Sequence, residues 1–330
     1  MADWLALSDM TLPDGAQTPL EQGLFICEVA LPLGEGTVLL EWHQDQPDGP
    51  QRSFSVFADP QAGLVVLQRA GPLMRRHVLP GPLPFGLGTA RVVYGWNRRT
   101  GRWTLSFGRI GRGEECTSIG IGPIALSLHE LSDLCRRDGA ALRHASLLWF
   151  GVTQGARPPE RAPWLGLRTP VETARGPVAA GSLRPGDLVH TVDNGLQPVL
   201  RVNRLRLPSR GSFAPVILRA PYLGQGSDVL LSADQLVALR GAEVEYMFGE
   251  EEVLVRADAL ANGSIGLKDE RQAAVDCVAL DLGLPELLLV DGLRLLSHGV
   301  RAEPPRPVLL AFEAQQLVSL MARRSLFGAA

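Results

Sequence analysis

The sequence has no excess of basic charge, no cysteines at metal-ligand spacing, no apolar run long enough to cross a bilayer and no glycine-aspartate nonapeptide repeat. Each absence removes a class of function. The net charge is -3 and the isoelectric point lies near 6.1, whereas nucleic-acid binding needs a concentrated basic surface. The nearest approaches to one, Arg98-Arg99 and Arg323-Arg324, are isolated pairs that read as solvated faces. No nucleic-acid partner is expected. Cys27, Cys116, Cys135 and Cys277 lie far apart, with neither a Cys-x-x-Cys nor a histidine at zinc-ligand spacing, so they read as small buried or half-buried thiols. Disulfides stay open at this point, because sequence distance does not say whether two Cβ atoms approach. The N-terminal "MADWLALSDMTLPDG" lacks a positive stretch followed by a sustained apolar one, so no conventional signal peptide and no membrane span are expected. The expected location is the cytoplasm, or outside the cell by a route without a cleaved leader. The missing nonapeptide repeats remove the support for calcium-dependent export.

What is present is an ordinary globular composition. Hydrophobic residues make up 45% of the 330 positions and charged residues 20%, which argues against disorder and leaves room for two domains of usual size. Gly, Pro and charge concentrate in "GVTQGARPPERAP" without apolar periodicity, so residues 151–163 are expected to link a domain over 1–150 to one over 164–300. A Pro-rich piece at 301–307 then precedes "VLLAFEAQQLVSLMARRSLF". Its apolar residues recur at helical spacing and its last turn is basic, as the helix dipole favours, so 301–330 is expected to be a linker and a C-terminal helix.

Short alternating runs separated by turn signals fill the first 150 residues: "GLFICEVAL", "TVLLEWHQ", "RSFSVFAD", "GLVVLQRA", "ARVVYGWN" and "RWTLSFGR". Their spacing predicts an antiparallel β-sandwich. The clearest hairpin is "ARVVYGWNRRTGRWTLSFG", with Trp96 and Trp103 flanking its turn. Together with "SFSVFADPQAGLVVLQ" it resembles the strand pairs of concanavalin A-like lectin and laminin-G jelly rolls. That resemblance implies a carbohydrate- or protein-binding module, with Trp42, Trp96, Asp45, Asp48 and Asp59 as candidate sugar or calcium contacts. Set against this, tryptophans in a sandwich more often fill the core. Glycoside hydrolysis would need two carboxylates opposed across a cleft, and neither Glu41 with Asp45 nor Glu114 with Glu115, each close together in sequence, is taken as such a pair.

The second half carries a sharper pattern. "SLRPGDLVHTVDNG", "DVLLSADQLVAL", "VLVRADALANG" and "LLLVDGL" follow one another in an order that resembles the bacterial form of the Hint (Hedgehog/intein) domain. The resemblance implies an all-β horseshoe wound through tight turns, so the whole chain is expected to be all-β: a jelly-roll-like sandwich, a Hint-type horseshoe and a C-terminal helix. Pro185 and Gly186 suit one reversal, and Asn194-Gly195 suits a type I′ hairpin. The family's chemistry is self-cleavage. A Cys or Ser at the first residue attacks the preceding carbonyl, and a His in a Ser/Thr-x-x-His block polarises the scissile peptide.

Carried onto this sequence, the nucleophile's place falls at Trp164. The block's serine is Ser232, and its histidine position holds Gln235, which does not titrate at neutral pH. The family's late-strand histidines land on Ala279 and Pro285, and the domain ends in His298-Gly299 where splicing inteins have His-Asn. The first available hydroxyl, Thr169, is expected inside the first strand, Cys277 in strand core, and His190 half-exposed on a strand. Two readings follow: a Hint-domain protein without self-cleavage that binds glycan or protein through its sandwich, or a self-cleaving one that uses Thr169 or a water near Ser232 and Gln235. No metal or cofactor is implied beyond calcium in the first module.

Overall fold

The computed structural model describes residues 4–10, 18–44, 51–84, 86–136, 141–155, 162–299 and 303–327, with side chains to 321. The chain divides into two compact units, one of Met1–Pro159 with Arg210–Ser212, the other of Glu160–Ser209 with Phe213–Ala330.

In the first unit two antiparallel sheets enclose one core. One sheet runs in the spatial order Trp4–Leu7, Leu147–Thr153, Gln22–Leu31, Gly88–Asn97, Arg102–Arg109, Glu115–Ile121. The other runs Leu142–Arg143, Thr37–Gln44, Arg52–Asp59, Gly63–Ala70, Leu73–Pro80. Strict alternation builds the interior, because successive side chains of a strand point to opposite faces. Phe54, Val56 and Ala58 on one strand and Leu64 and Val66 on the next are all buried. They meet Phe25, Val92, Tyr94, Leu105 and Phe107 from the other sheet in one core. The six expected strands are all present. The strand Leu147–Thr153 runs three residues into the segment expected to be linker, since Phe150 and Val152 alternate inward. Residues 156–161 of that segment lie outside those described.

One helix interrupts the sandwich. Leu128–Cys135 begins at Ser127, whose hydroxyl accepts from the Glu130 amide while the Glu130 carboxylate accepts from the Ser127 amide. This reciprocal capping satisfies two of the donors a helix start leaves open. Leu131 and Leu134 then face the core.

Two glycines are fixed by tryptophans. Gly23 pairs with Trp96 across the strands and Gly120 with Trp103, and a Cβ at either glycine would run into the opposing indole. Trp96 is thereby held flat and buried, its indole N–H donating to the Leu20 carbonyl at 3.3 Å.

The second unit is also built of antiparallel sheets. The first has the order Arg201–Pro208, Ala274–Asp281, Leu165–Gly166, Val229–Leu231, Val216–Leu218, Gly266–Lys268. The second runs Gly176–Ala179, Pro170–Thr173, Leu188–Thr191, Leu287–Val290, Leu293–Leu296, Leu236–Arg240, Glu252–Arg256, with Gly195–Pro198 paired to Leu188–Thr191. The short strand Leu188–Thr191 is set by the two reversals around it. Gly186 sits at φ 93° and Gly195 at φ 65°, the left-handed region that glycine enters without a Cβ clash.

The C-terminal helix forms over Ala311–Phe327, three residues later than the apolar pattern begins. Residues 307–309 instead lie along the strand Glu252–Arg256, with the Leu254 amide donating to Pro307 and the Leu309 amide to Leu254. Leu309, Ala314, Leu317 and Val318 join the core of the second unit. The expected tail is thus part of the unit it follows.

The sandwich core contains a polar cluster. The Gln68 carbonyl oxygen accepts from Tyr94 Oη at 2.8 Å and pairs with His77 Nε2 at 3.0 Å, and its amide donates to the Ile124 carbonyl at 2.7 Å. Burial, with Arg75 as a lesser cause, pushes the His77 imidazole down from 6.5 to about 4. Folding therefore favours neutral His77. Stability from this group is complete above pH 6.5 and is lost as pH falls toward 4, because the unfolded chain takes up the proton first. Denaturant titrations of the wild type and of His77→Gln should differ in their loss of stability between pH 7 and pH 4 by roughly 3 kcal/mol at most. Identical pH dependences would contradict the buried neutral imidazole.

Candidate functional site

The strand Leu165–Gly166 is only two residues long, yet it lies between two neighbours. Leu165 pairs with Leu231 on one side and Val278 on the other, and Gly166 pairs with Cys277. Trp164, one residue upstream, is fastened by both of its backbone groups. Its N–H donates to Ser232 Oγ at 3.2 Å, and its carbonyl accepts from the Ser232 amide at 3.1 Å. The indole is 2% exposed.

Ser232 opens a tight turn. The Gln235 amide donates to the Ser232 carbonyl at 3.1 Å, and the Gln235 side chain is buried. Its amide nitrogen donates to the Leu296 carbonyl at 2.7 Å and to the Leu236 carbonyl at 3.2 Å. Both hydrogens of that group are thereby used on strand backbone. The Gln235 carbonyl accepts from the Ala257 amide at 2.8 Å, and the Ala233 carbonyl from the Asp258 amide at 3.0 Å. The Arg256 guanidinium bridges Asp234 at 2.7 Å and Asp258 at 2.6 Å. Its pKa is raised, chiefly by the hydrogen bond to Asp258, so the cation persists and holds the turn.

The structure therefore brings Trp164, Ser232 and Gln235 into one connected set. Thr169 stands apart from them. It ends the turn Gly166–Thr169 just ahead of the strand Pro170–Thr173, where it was expected within a strand. Its hydroxyl is buried against the Leu230 carbonyl at 3.5 Å. His298 is half-buried, its amide donating to the Leu280 carbonyl at 3.0 Å. His190 is half-buried in Leu188–Thr191, opposite Leu196. Ala279 is buried on its strand and Pro285 half-buried beside the loop.

In the first unit the expected ligand contacts that are described, Trp42, Trp96 and Asp59, do not gather into a site. Trp42 and Trp96 are 2% and 3% exposed and belong to the core; a sugar has no access to their faces. Asp59 is a turn anchor. Its carboxylate accepts from the amides of Ala62 at 2.7 Å, Gln61 at 2.8 Å and Gly36 at 2.8 Å. Those bonds, with Ala62 the largest cause, hold its pKa below the usual carboxylate value. Asp45 and Asp48 lie outside the described residues. Among the described residues no group of three His, Cys, Asp or Glu side chains is placed to hold a metal ion, and no described helix is long and apolar enough to cross a membrane.

With this geometry in place, comparison with known proteins gives one family match and several likenesses to solved structures. Residues 167–298 match the family model of the Hint domain, so the chain carries a Hint domain within its second unit. The chain is similar to the gp41-1 intein, with 16% identity, 42% of this chain and 100% of that chain covered, and a TM-score of 0.28. It is similar to the Ruminococcus gnavus IT-sialidase CBM40, with 11% identity, 47% of this chain and 95% of that chain covered, and a TM-score of 0.33. It is also similar to a heptameric SAP-like pentraxin from Limulus polyphemus, at 14% identity, 45% and 91% coverage and a TM-score of 0.21. No curated protein matches the chain.

Three of the four cysteines are buried free thiols. Cys277 is fully buried in Ala274–Asp281, and burial, with Asp276 a lesser cause, pushes its thiol up to about 12. Cys135 is likewise pushed up to about 12 by burial, and Cys27 is raised further for the same reason. Only the thiolate is reactive. Cys116 is half-exposed on the edge strand Glu115–Ile121. Under native conditions a water-soluble alkylating reagent should modify Cys116 alone, and all four only in denaturant. Peptide mapping that finds Cys277 labelled at a comparable rate in the folded protein would contradict its placement.

Proposed function

We propose that the Hint domain of this protein keeps its fold without self-cleavage, and that the chain acts as a binding or interaction protein. The observation that carries this reading is Trp164 itself. The residue in the nucleophile's place has neither a thiol nor a hydroxyl, and both of its backbone groups are bonded to Ser232. Attack on the preceding carbonyl needs a nucleophile within reach of that carbonyl and a proton donor to the departing amine. The block glutamine spends both amide hydrogens on strand carbonyls, and it has no proton to exchange near neutral pH. Thr169 is five residues downstream of Trp164, with its hydroxyl directed at the Leu230 carbonyl, which favours a structural use of that side chain.

The test is intact-mass spectrometry after long incubation with and without dithiothreitol or hydroxylamine. The expected result is one species at 35.6 kDa under all conditions. Fragments that divide between Pro163 and Thr169 would overturn the reading in favour of self-cleavage.

Binding is assigned to the first unit, with carbohydrate as the ligand class. The support is its architecture: a two-sheet antiparallel sandwich, the arrangement that lectin domains use. The contacts would have to come from outward-facing residues, since Trp42 and Trp96 are committed to the core. A glycan array probed with and without calcium checks both the ligand class and the metal. Saturable binding to a defined set of glycans is expected; a uniformly negative array would reject carbohydrate and leave protein as the partner.

A further inference from the structure

The turn Arg184-Pro185-Gly186-Asp187 does more than reverse the chain. With the hairpin formed by Pro170–Thr173 and Gly176–Ala179, it borders a cleft of about 650 Å³. That size falls inside the ~300–1,000 Å³ typical of small-molecule sites. The cleft lies wholly within the second unit and shares no residue with the Trp164, Ser232 and Gln235 set. Its apolar lining includes Val178, Leu183 and Leu188, and its charged groups are Arg175, Arg184 and Asp187.

The border is rigidly built. The Arg184 amide donates to Asp187 Oδ2 at 2.9 Å, and the Asp187 amide returns to the Arg184 carbonyl at 3.1 Å. The Gly186 amide donates to Val199 at 2.8 Å, and the Val199 amide to Asp187 at 2.9 Å. Across the cleft entrance the Ala174 amide donates to the Leu188 carbonyl at 3.2 Å. Sites held in one geometry before the ligand arrives lose less entropy on binding.

The charges are unevenly matched. Asp187 has its second oxygen 3.5 Å from Arg175 Nη2, so its carboxylate is shared between one guanidinium and the turn. The exposed Arg184 guanidinium, by contrast, makes no hydrogen bond or ion pair among the described residues, although it lines the same cleft. A guanidinium presents a planar fork of donors that fits a carboxylate or phosphate with two parallel bonds.

We propose that this cleft binds a small organic oxyanion, a carboxylate or phosphate on a compact body, with Arg184 holding the oxyanion and Val178, Leu183 and Leu188 packing the body. The assignment stands whether or not the chain cleaves itself. Isothermal titration calorimetry on the full chain at low ionic strength tests it with three non-sugar probes of similar size, so that carbohydrate binding by the first unit does not enter: benzoate, phenyl phosphate and uncharged benzyl alcohol. The expected result is saturable binding of at least one anion with a dissociation constant below about 1 mM and none of benzyl alcohol. Which anion binds tells a carboxylate site from a phosphate site. Arg184→Gln should weaken that binding at least tenfold while leaving the thermal midpoint unchanged, because the exposed side chain supports no other group. Arg99→Gln, on an exposed turn of the first unit, should leave binding as it was. Failure of both anions to bind, binding of benzyl alcohol to the same extent, or full affinity in Arg184→Gln would each overturn the proposal.

Discussion

The second unit depends on Ser232 holding the backbone of Trp164 from both sides. A two-residue strand flanked by partners has little pairing of its own, so its position is set by what fixes its ends. The hydroxyl of Ser232 takes the Trp164 N–H and its amide takes the Trp164 carbonyl, and with these bonds in place Leu165 can pair with Leu231 and Val278 at once. Leaving buried backbone groups unpaired would cost about 1–3 kcal/mol each. The Trp164 side chain is buried, and the Ser232–Gln235 turn is itself tied through Gln235 to Leu296 and Ala257. The same bonds that complete a sheet would, in the proposed reading, leave no reactive group at the start of the domain.

The first unit follows a different logic. Its largest side chains, Trp42, Phe25, Phe54 and Tyr94, are inside, with Phe25 and Phe54 centred 5.0 Å apart. One buried glutamine satisfies both a tyrosine and a histidine there. A polar cluster in an apolar core is tolerated because each member is paired, and it narrows the packing to one arrangement. Its cost falls on acid stability, since the imidazole cannot charge without losing that arrangement.

Much of this was legible in the residues and some was not. Strands such as Arg52–Asp59 and Gly63–Ala70 declare themselves, because alternation and burial coincide over eight residues. Leu73–Pro80 and Glu115–Ile121 carry no such signal. Both are edge strands, mostly exposed, so no buried face writes an apolar pattern into them. The helix Leu128–Cys135 was not read from the sequence, although Ser127 and Glu130 stand three residues apart, the spacing of a capping box. At the candidate site, the resemblance assigned Trp164, Ser232 and Gln235 to the family's reactive positions, and in the structure hydrogen bonds join Trp164 to Ser232 and Ser232 to Gln235. What spacing could not convey is that Trp42 and Trp96 point inward, since a strand's parity relative to its sheet is settled only by its partners. The cleft beside Arg184 was equally hidden: it is made by two hairpins whose proximity depends on the pairing of Thr173 with Val189.

The clamp on Trp164 is the point at which fold and proposed function meet, and hydrogen–deuterium exchange reads it without altering a residue. Mass spectrometry of the peptide spanning 162–169 should show the Trp164 and Leu165 amides protected as strongly as those of Ala274–Asp281, the strand beside them. Exchange of the Trp164 amide at the rate of an open loop would contradict the account, because it would mean that the start of the domain is free to rearrange around a scissile bond.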